Sequence, residues 1–208
     1  MLETKYVFIF GYSGHAYVII ESLLDAGYEV RGYFDHQKSA KNPYNLEYFG
    51  SENTVDVKNI VQRNLVFPTV GDNSIREKLV LFFDSLKLNQ FVAIDPTAQI
   101  SKTADVDLSS YIGKNVSINA QSKIGKGVIL NTNCVIEHEC IIEDYVHVAP
   151  SSVLCGNVSV RKNSFIGANS TVKQNIVLID NVIIGAGSLV VKDINVKGTW
   201  MGNPAKLK

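Results

Sequence analysis

Residues 112–142 read IGKNVSINAQSKIGKGVILNTNCVIEHECII, and this stretch decides the fold. An aliphatic residue stands at every sixth position, and the register holds from Ile94 to Val196 for eighteen consecutive positions. Ile, Val and Leu fill only about a fifth to a quarter of an average chain, so chance does not explain the register. Four residues after each step lies a second column of small or β-branched residues, such as Ala98, Ser110 and Cys134. Two inward columns per six residues predict a repeat architecture.

A period of six suits neither an α-helix, whose faces recur every 3.6 residues, nor a lone strand, whose faces recur every two. It suits short strands joined by tight corners, where glycine relieves backbone strain. Gly113, Gly125, Gly167 and Gly185 each follow an aliphatic step by one residue. The sequence therefore predicts a parallel β-helix, with a purely structural solenoid as the alternative to a catalytic one.

The first ninety residues follow a different pattern. A short apolar run over Lys5–Phe10 leads into a glycine turn, a helical pattern that stops at Gly27, and a second buried strand over Val30–Phe34 that ends at Asp35. A strand, glycine turn, helix and strand in this order predict the opening of a Rossmann-like unit. We therefore divide the chain into a Rossmann-like domain over 1–92 and a β-helix domain over 93–208.

A third strand is predicted over Leu65–Val70, and Pro68 within it predicts an edge position or an incomplete ladder. Gly71-Asp72-Asn73 follows as a turn. Ser74 with Glu77 three residues later predicts a capping box for a helix that ends near Leu86.

The glycine turn matches a dinucleotide fingerprint only in part. Ser13 and Ala16 stand where the Gly-x-Gly-x-x-Gly pattern has glycine, although Asp35 lies at about the right distance. Gly11 and Gly14 still allow backbone amides at a helix N-terminus to approach a diphosphate, and Asp35 can accept hydrogen bonds from hydroxyl groups. A turn without a ligand and a nicotinamide-binding oxidoreductase remain alternatives here.

Charge and composition exclude several classes of partner. The 20 basic and 20 acidic residues cancel, which predicts no binding of nucleic acid or of an anionic membrane. No apolar run approaches the roughly 20 residues of a membrane span, and the N-terminus lacks the features of a signal peptide, so we predict a cytoplasmic protein. Cys134, Cys140 and Cys155 all lie in the solenoid and are predicted to be core residues rather than a disulfide set or a zinc site.

Three motifs together resemble the bacterial sugar O- and N-acetyltransferases with hexapeptide repeats. They are Gly-x-Ser-Gly-His over 11–15, Gly-Asp-Asn-x-x-Arg over 71–76, and the solenoid. This family includes enzymes that acetylate UDP-linked 4-amino-4,6-dideoxy sugars and sialic acids. The resemblance implies a left-handed β-helix with three hexapeptides per coil, a homotrimer, and a nucleotide sugar bound by the N-terminal domain. The substrate-binding residues that it implies are Ser13, Gly14, His15, Asp35 and Gly71. His36 departs from the second aspartate of close relatives.

The segment Glu137-His138-Glu139 resembles the catalytic segment of this family. Acetyl transfer to an amine or hydroxyl needs a base, and neutral imidazole suits that role near pH 7. The resemblance implies that His138 is the base and that Glu139 supports it. It also implies that acetyl-CoA is contacted by His147, Ala168 and Ala186. Because no cysteine or serine is paired with a base in the motif, direct transfer without an acyl-enzyme is predicted.

The spacing of these residues argues against a zinc site and for a site shared between subunits. His138 and His147 are nine residues apart, which is half of an 18-residue coil, so they lie on well-separated parts of the prism. A catalytic zinc site of three histidines is therefore not predicted. Ala168 and Ala186 are one coil apart and therefore stack in one column, and the resemblance implies that the pantetheine arm runs along this ridge. Since His138 faces away from the cofactor residues of its own chain, we predict a site shared between neighbouring subunits of a homotrimer.

The predicted function is acetyl-CoA-dependent N-acetylation of the 4-amino group of a UDP-4-amino-4,6-dideoxy sugar, in bacterial polysaccharide or glycan biosynthesis. The alternatives are O-acetylation of a sialic acid or another sugar, an NAD-dependent sugar-modifying protein, and a non-catalytic scaffold. The ending Gly202-Asn203-Pro204-Ala205-Lys206 resembles the closing segment of hexapeptide acyltransferases. Trp200 is predicted to cover the end of the core, and a CoA contact from Lys206 is a weaker expectation.

Overall fold

The structure is a computed structural model, and it describes residues 5–208. Residues 1–4 of the predicted first domain lie outside the described residues. The N-terminal part is a parallel sheet with helices, and the rest of the chain winds into a solenoid of short parallel strands. This architecture confirms the predicted fold class, a small α/β domain followed by a parallel β-helix.

The N-terminal sheet has five parallel strands in the order β3-β2-β1-β4-β5. Its elements along the chain are β1 (Lys5–Phe10), α1 (Gly14–Asp25), β2 (Tyr28–Phe34), β3 (Glu47–Tyr48), α2 (Val57–Val61), β4 (Leu65–Pro68), α3 (Asn73–Leu86) and β5 (Asn89–Gln90). Pro68 pairs with Phe10 on one side, while β5 pairs only with the first two residues of β4. The ladder is thus incomplete at Pro68, which agrees with one of the two predictions for this residue.

The predicted capping box at Ser74 is wrong. Helix α3 begins at Asn73, and the side chain of Asp72 caps it by accepting a hydrogen bond from the backbone N–H of Ile75 at 2.9 Å. An aspartate at the N-cap satisfies a free amide of the first turn, so Ser74 is displaced into the helix. Glu77 is then free to pair with Lys162 and Asn163 of the solenoid.

The solenoid is a three-sided prism in which each strand pairs with the strand 18 residues later, as Ile118 pairs with Ile136. We call its three sheets the first, second and third face. The first face holds β6, β9, β12, β15, β18 and β21, which are Ala93–Ile94, Tyr111–Ile112, Ile129–Leu130, His147–Val148, Phe165–Ile166 and Val182–Ile184. The second face holds β7, β10, β13, β16, β19 and β22, which are Gln99–Ile100, Ser117–Ile118, Val135–Ile136, Val153–Leu154, Thr171–Val172 and Leu189–Val190. The third face holds β8, β11, β14, β17 and β20, which are Asp105–Val106, Lys123–Ile124, Ile141–Ile142, Ser159–Val160 and Val177–Leu178.

The aliphatic column of the sequence forms the core of this prism. Every member from Ile112 to Val190 is buried, whereas Ile94 and Val196 at the two ends are 39% and 49% exposed. Cys134 and Cys140 lie in the same core. At the last coil, β23 (Gly198–Met201) pairs with β21, and β24 (Lys206–Leu207) pairs with β23. Trp200 packs against the core there, as predicted.

One residue in every six has a left-handed backbone at the corners of the prism. Fourteen consecutive positions of this kind run from Ser109 to Gly187, with φ between +56° and +68°, and asparagine holds seven of them. Asparagine tolerates this conformation better than most residues. Glu139 is one of the exceptions, with φ of +60°.

We expect Leu154→Ala to lower the free energy of unfolding by about 2–5 kcal/mol, because a fully buried leucine leaves a cavity that a rigid prism fills poorly. Urea unfolding followed by circular dichroism measures the change. Ile141→Ala is the matched control, since Ile141 is 46% exposed and its loss should stay below about 1 kcal/mol. Equal losses for the two variants would contradict the inward assignment of the column.

The N-terminal domain lies on the first face. Outward residues of this face, such as Tyr111 and Ile129, are buried against it. Helix α1 reaches the first coil through Ser22, whose hydroxyl donates to Asp95 Oδ2 at 2.6 Å and lies 2.9 Å from the Tyr111 hydroxyl. Helix α3 reaches the corner between the third and first faces through Arg76. Both helices therefore fix the domain to the prism.

Candidate functional site

The His138 imidazole stands at the corner between the second and third faces. Its Nδ1 lies 3.0 Å from Glu139 Oε2, and both side chains are 59% exposed. The left-handed backbone of Glu139 is the corner conformation that asparagine supplies elsewhere. The carboxylate can accept a hydrogen bond from Nδ1, which leaves Nε2 as the unprotonated nitrogen that can take a proton. This pair has the chemistry of a general base with a supporting carboxylate.

Gly156 makes room for this imidazole. It lies 18 residues after His138 on the next coil, and a Cβ built there would stand 2.5 Å from Cε1 and Nε2 of the ring. Around the pair opens a depression of about 480 Å³, lined by Glu137, His138, Glu139, Cys155, Gly156, Asn157, Gln174 and Asn175. Gly156 was not predicted from the sequence, although a glycine one coil above the candidate base is a usable signal.

We expect Gly156→Ala to lower kcat for acetyl transfer roughly 10- to 100-fold, because the new methyl group pushes the imidazole out of place. Thermal unfolding should change little, since the obstructed atoms belong to an exposed side chain. Steady-state kinetics with acetyl-CoA measure the loss, and calorimetry checks that CoA affinity is kept. Wild-type kcat in a folded variant would show that the ring position seen here is not the active one.

The glycine turn of the N-terminal domain borders a second cavity of about 270 Å³. It is lined by Phe10, Gly11, Tyr12, Ser13, Phe34, Asp35, His36, Glu52, Val70, Ile75 and Leu79. Ser13, which lines this cavity, is the N-cap of α1 and makes no side-chain capping bond, so its hydroxyl does not satisfy the free amides of the first turn. Gly14 follows it as the first helical residue and is exposed. A helix N-terminus with a free hydroxyl is suited to a diphosphate.

Asp35 has a structural role in the glycine turn, besides the predicted role of binding ligand hydroxyl groups. Its Oδ2 accepts a hydrogen bond from the backbone N–H of Tyr12 at 2.8 Å, and its Oδ1 accepts one from the N–H of His36 at 2.7 Å. The carboxylate thus holds the glycine turn against the end of β2. Each oxygen keeps a further lone pair for a ligand hydroxyl. Glu52 lines the same cavity and was not singled out from the sequence.

Three of the predicted site residues meet between the domain and the first face. The His147 Nδ1 lies 3.3 Å from the Gly71 carbonyl oxygen, and the ring centroids of His15 and His147 are 6.0 Å apart. His147 is only 8% exposed, and its Nε2 lies 3.3 Å from Asn131 Nδ2. The sequence placed His15 and Gly71 with the sugar and His147 with CoA, and the fold puts them in one cluster.

Both histidines of this cluster are held neutral. Burial, with a smaller contribution from the Arg76 cation, lowers the pKa of His15 to about 4. Burial, with smaller contributions from Arg76 and His15, lowers the pKa of His147 to about 3. The His15 Nε2 is buried without a hydrogen-bond partner among the described residues. At neutral pH these side chains are therefore uncharged donors or acceptors.

The predicted alanine ridge forms the corner between the first and second faces. Ala168 is half-buried and Ala186 is exposed one coil above it. Gly167 is required there, because a Cβ on it would stand 2.5 Å from the backbone nitrogen of Ala186. His138 lies on a different corner, with the second face between them. Within one chain, His138 and the two alanines therefore lie on different corners of the prism.

No group of three or more His, Cys, Asp or Glu side chains within residues 5–208 has a geometry that would hold a metal ion. No helix in this range has the length and apolar character needed to cross a membrane.

Comparison with known proteins gives two family matches and several similar structures. Residues 6–81 match the PglD N-terminal domain, and residues 121–156 match the bacterial transferase hexapeptide (six repeats). A mutant of perosamine N-acetyltransferase from Caulobacter crescentus, solved in complex with CoA and GDP-perosamine, is 30% identical; the match covers 100% of this chain and 98% of that one, with a TM-score of 0.93. The acetyltransferase domain of PglB from Neisseria gonorrhoeae, in complex with acetyl coenzyme A, is 26% identical over 99% of this chain and 100% of that one, with a TM-score of 0.90.

A curated relative gives a shorter match. The uncharacterized protein L142 of Acanthamoeba polyphaga mimivirus is 34% identical over 103 residues, which are 47% of this chain and 20% of that protein. The chain thus spans about a fifth of the length of this relative. The Caulobacter enzyme, by contrast, matches along its whole length. With this match the chain belongs to the bacterial sugar acetyltransferases with hexapeptide repeats, and its solenoid is the left-handed β-helix of that family.

Proposed function

We propose that this acetyltransferase moves the acetyl group of acetyl-CoA to the 4-amino group of a nucleotide-linked 4-amino-4,6-dideoxy sugar, with UDP as the predicted carrier. The observation that carries the proposal is the His138–Glu139 pair, held at 3.0 Å over Gly156 on the prism corner. His138 takes a proton from the attacking amine while the amine nitrogen forms a bond to the thioester carbonyl carbon. The C–S bond then breaks, and the protonated His138 gives its proton to the leaving sulfur, so that CoA leaves as the thiol and the base is regenerated.

The two substrates occupy different parts of the protein in this proposal. The nucleotide diphosphate lies at the N-terminus of α1, near Ser13, Gly14 and Asp35, and the sugar extends toward His15 and Gly71. The acetyl-CoA arm runs along Ala168 and Ala186 toward His147. The proposal includes a homotrimer in the cytoplasm, in which His138 of one subunit meets the ridge of its neighbour. We place the enzyme, within this proposal, in the synthesis of a bacterial glycan.

The comparisons support an amine nitrogen as the acceptor atom. The 30% identical Caulobacter enzyme is an N-acetyltransferase solved with GDP-perosamine, which favours an amine over a hydroxyl. For the same reason the carriers to be tested are both UDP and GDP. O-acetylation of a sialic acid is the competing proposal, and it uses the same base.

Thiol release from acetyl-CoA tests the proposal. The panel contains UDP- and GDP-linked 4-amino-4,6-dideoxy sugars, the 4-hydroxy analogue of each, and a sialic acid. We expect release only with the amino sugars and a product that survives mild alkali, since an amide is stable where an O-acetyl ester is cleaved. Release with the hydroxy sugars or the sialic acid would move the assignment to O-acetylation. If acetyl-CoA binds fully and no member of the panel causes thiol release, the proposed acetyl transfer to a sugar is wrong.

A further inference from the structure

We infer that Arg76 is a positioning residue that sets His147 relative to the nucleotide-sugar turn. The inference rests on the proposed function, which assigns Gly71 to the sugar and His147 to acetyl-CoA. Arg76 is 1% exposed, although it carries a charge. Its guanidinium makes five hydrogen bonds, four of them to backbone carbonyls and one to an amide oxygen, and no ion pair among the described residues includes it.

On one side the guanidinium binds the solenoid. Arg76 Nε donates to the carbonyl oxygen of Gly127 at 2.6 Å, and Nη2 donates to that of Tyr145 at 2.9 Å. These two carbonyls belong to successive coils at the same corner of the prism. A planar fork of donors matches two fixed acceptors with little freedom, which an ammonium cannot reproduce.

On the other side the same fork binds the turn after β4. Nη1 donates to the carbonyl oxygens of Val70 at 3.2 Å and of Gly71 at 3.0 Å, and Nη2 donates to Asn73 Oδ1 at 2.8 Å. Asn73 in turn donates from Nδ2 to the solenoid carbonyl of Asn163 at 3.1 Å. Arg76 and Asn73 therefore hold this turn to the prism.

The Gly71 carbonyl also determines the state of His147. A carbonyl oxygen only accepts, so His147 Nδ1, 3.3 Å away, must carry the proton. Nε2 is then the acceptor, and it faces the Nδ2 donor of Asn131 at 3.3 Å. Arg76 and His147 thus share one acceptor, and loss of the arginine frees this carbonyl to rotate. The shared carbonyl places the sugar-binding turn and the cofactor histidine in one fixed relation.

A second contact between the domains provides the control. Ser22 is 1% exposed and joins α1 to Asp95 and Tyr111, so Ser22→Ala weakens the same interface without touching Gly71 or His147. If Arg76 only attaches the domain, Arg76→Lys and Ser22→Ala should behave alike at equal loss of thermal stability.

The experiment compares both variants with the wild-type enzyme by kinetics and by the ¹⁵N spectrum of histidine side chains, which is tractable because the chain has four histidines. We expect the Nδ1–H tautomer of His147 in the wild type and in Ser22→Ala, and a mixture of tautomers in Arg76→Lys. We expect kcat/KM for the acceptor sugar to fall roughly 10- to 100-fold in Arg76→Lys, the scale of a small misplacement of reacting groups, and less than threefold in Ser22→Ala.

Two results would overturn the inference. One is an Nε2–H tautomer of His147 in the wild-type protein, which needs no variant to fold. The other is the same tautomer and the same kinetic loss in Arg76→Lys and Ser22→Ala. Because the spectra require no turnover, absence of acetyl transfer would count against the proposed function alone.

Discussion

Replacing His138 by alanine is expected to lower kcat for acetyl transfer by roughly 10²- to 10⁴-fold, the usual effect of removing a positioned general base. The imidazole lines the corner depression, and its Nδ1 lies 3.0 Å from Glu139 Oε2, the arrangement expected of a base with a supporting carboxylate. Steady-state kinetics at saturating acetyl-CoA and amino sugar measure the effect.

Two controls accompany this variant. Acetyl-CoA affinity should stay near wild type by calorimetry, because the alanine ridge lies on another corner. Glu139→Gln should cost less than His138→Ala, since the amide keeps a hydrogen-bond acceptor beside Nδ1. A His138→Ala variant with near-wild-type kcat would remove the imidazole from the mechanism.

Mixing two inactive variants is expected to restore activity. Ala186→Tyr should block the cofactor ridge without unfolding the prism, because Ala186 is exposed at a corner. His138→Ala subunits lack the base and keep the ridge. In a trimer with shared sites, mixed assemblies contain interfaces where an intact His138 meets an intact ridge, so part of the wild-type activity should return.

The measurement is acetyl transfer by trimers refolded from tagged subunits and purified through both tags. Unmixed variants treated in the same way give the baseline. Mixed trimers that remain at this baseline, or a monodisperse monomer with full turnover, would show that each site is built within one chain.

The solenoid was predictable because a six-residue aliphatic register has few physical solutions. The core positions from Ile112 to Val190 follow directly from that register. Short elements carried less signal: α2 has five residues and was not predicted. The start of α3 was misplaced because Asp72 and Ser74 are both good N-cap residues, and only the fold shows which side chain meets the amide of Ile75.

The candidate site was predictable in its parts and less so in its arrangement. The motif around His138 indicated the base, and the coil spacing separated it from the ridge. The meeting of His15, Gly71 and His147 had no local signal, because it depends on which face of the prism the N-terminal domain covers. Arg76 was visible in the turn motif, but its role follows only from the carbonyls around it.

The ladder of left-handed corners limits how this protein can change in length. A single inserted residue between His138 and Ala186 would shift each later corner away from the residue that now occupies it and turn the aliphatic column outward. An insertion of six residues would keep both but move every later strand to the next face; only a whole 18-residue coil also keeps the faces, and it adds about 4.8 Å along the prism. With the faces kept, the height of the alanine ridge above His138 can therefore change only in steps of one coil. In a shared-site trimer, a subunit with a duplicated coil would present its ridge one step too high for its neighbours, so such a duplication has to be matched in every subunit.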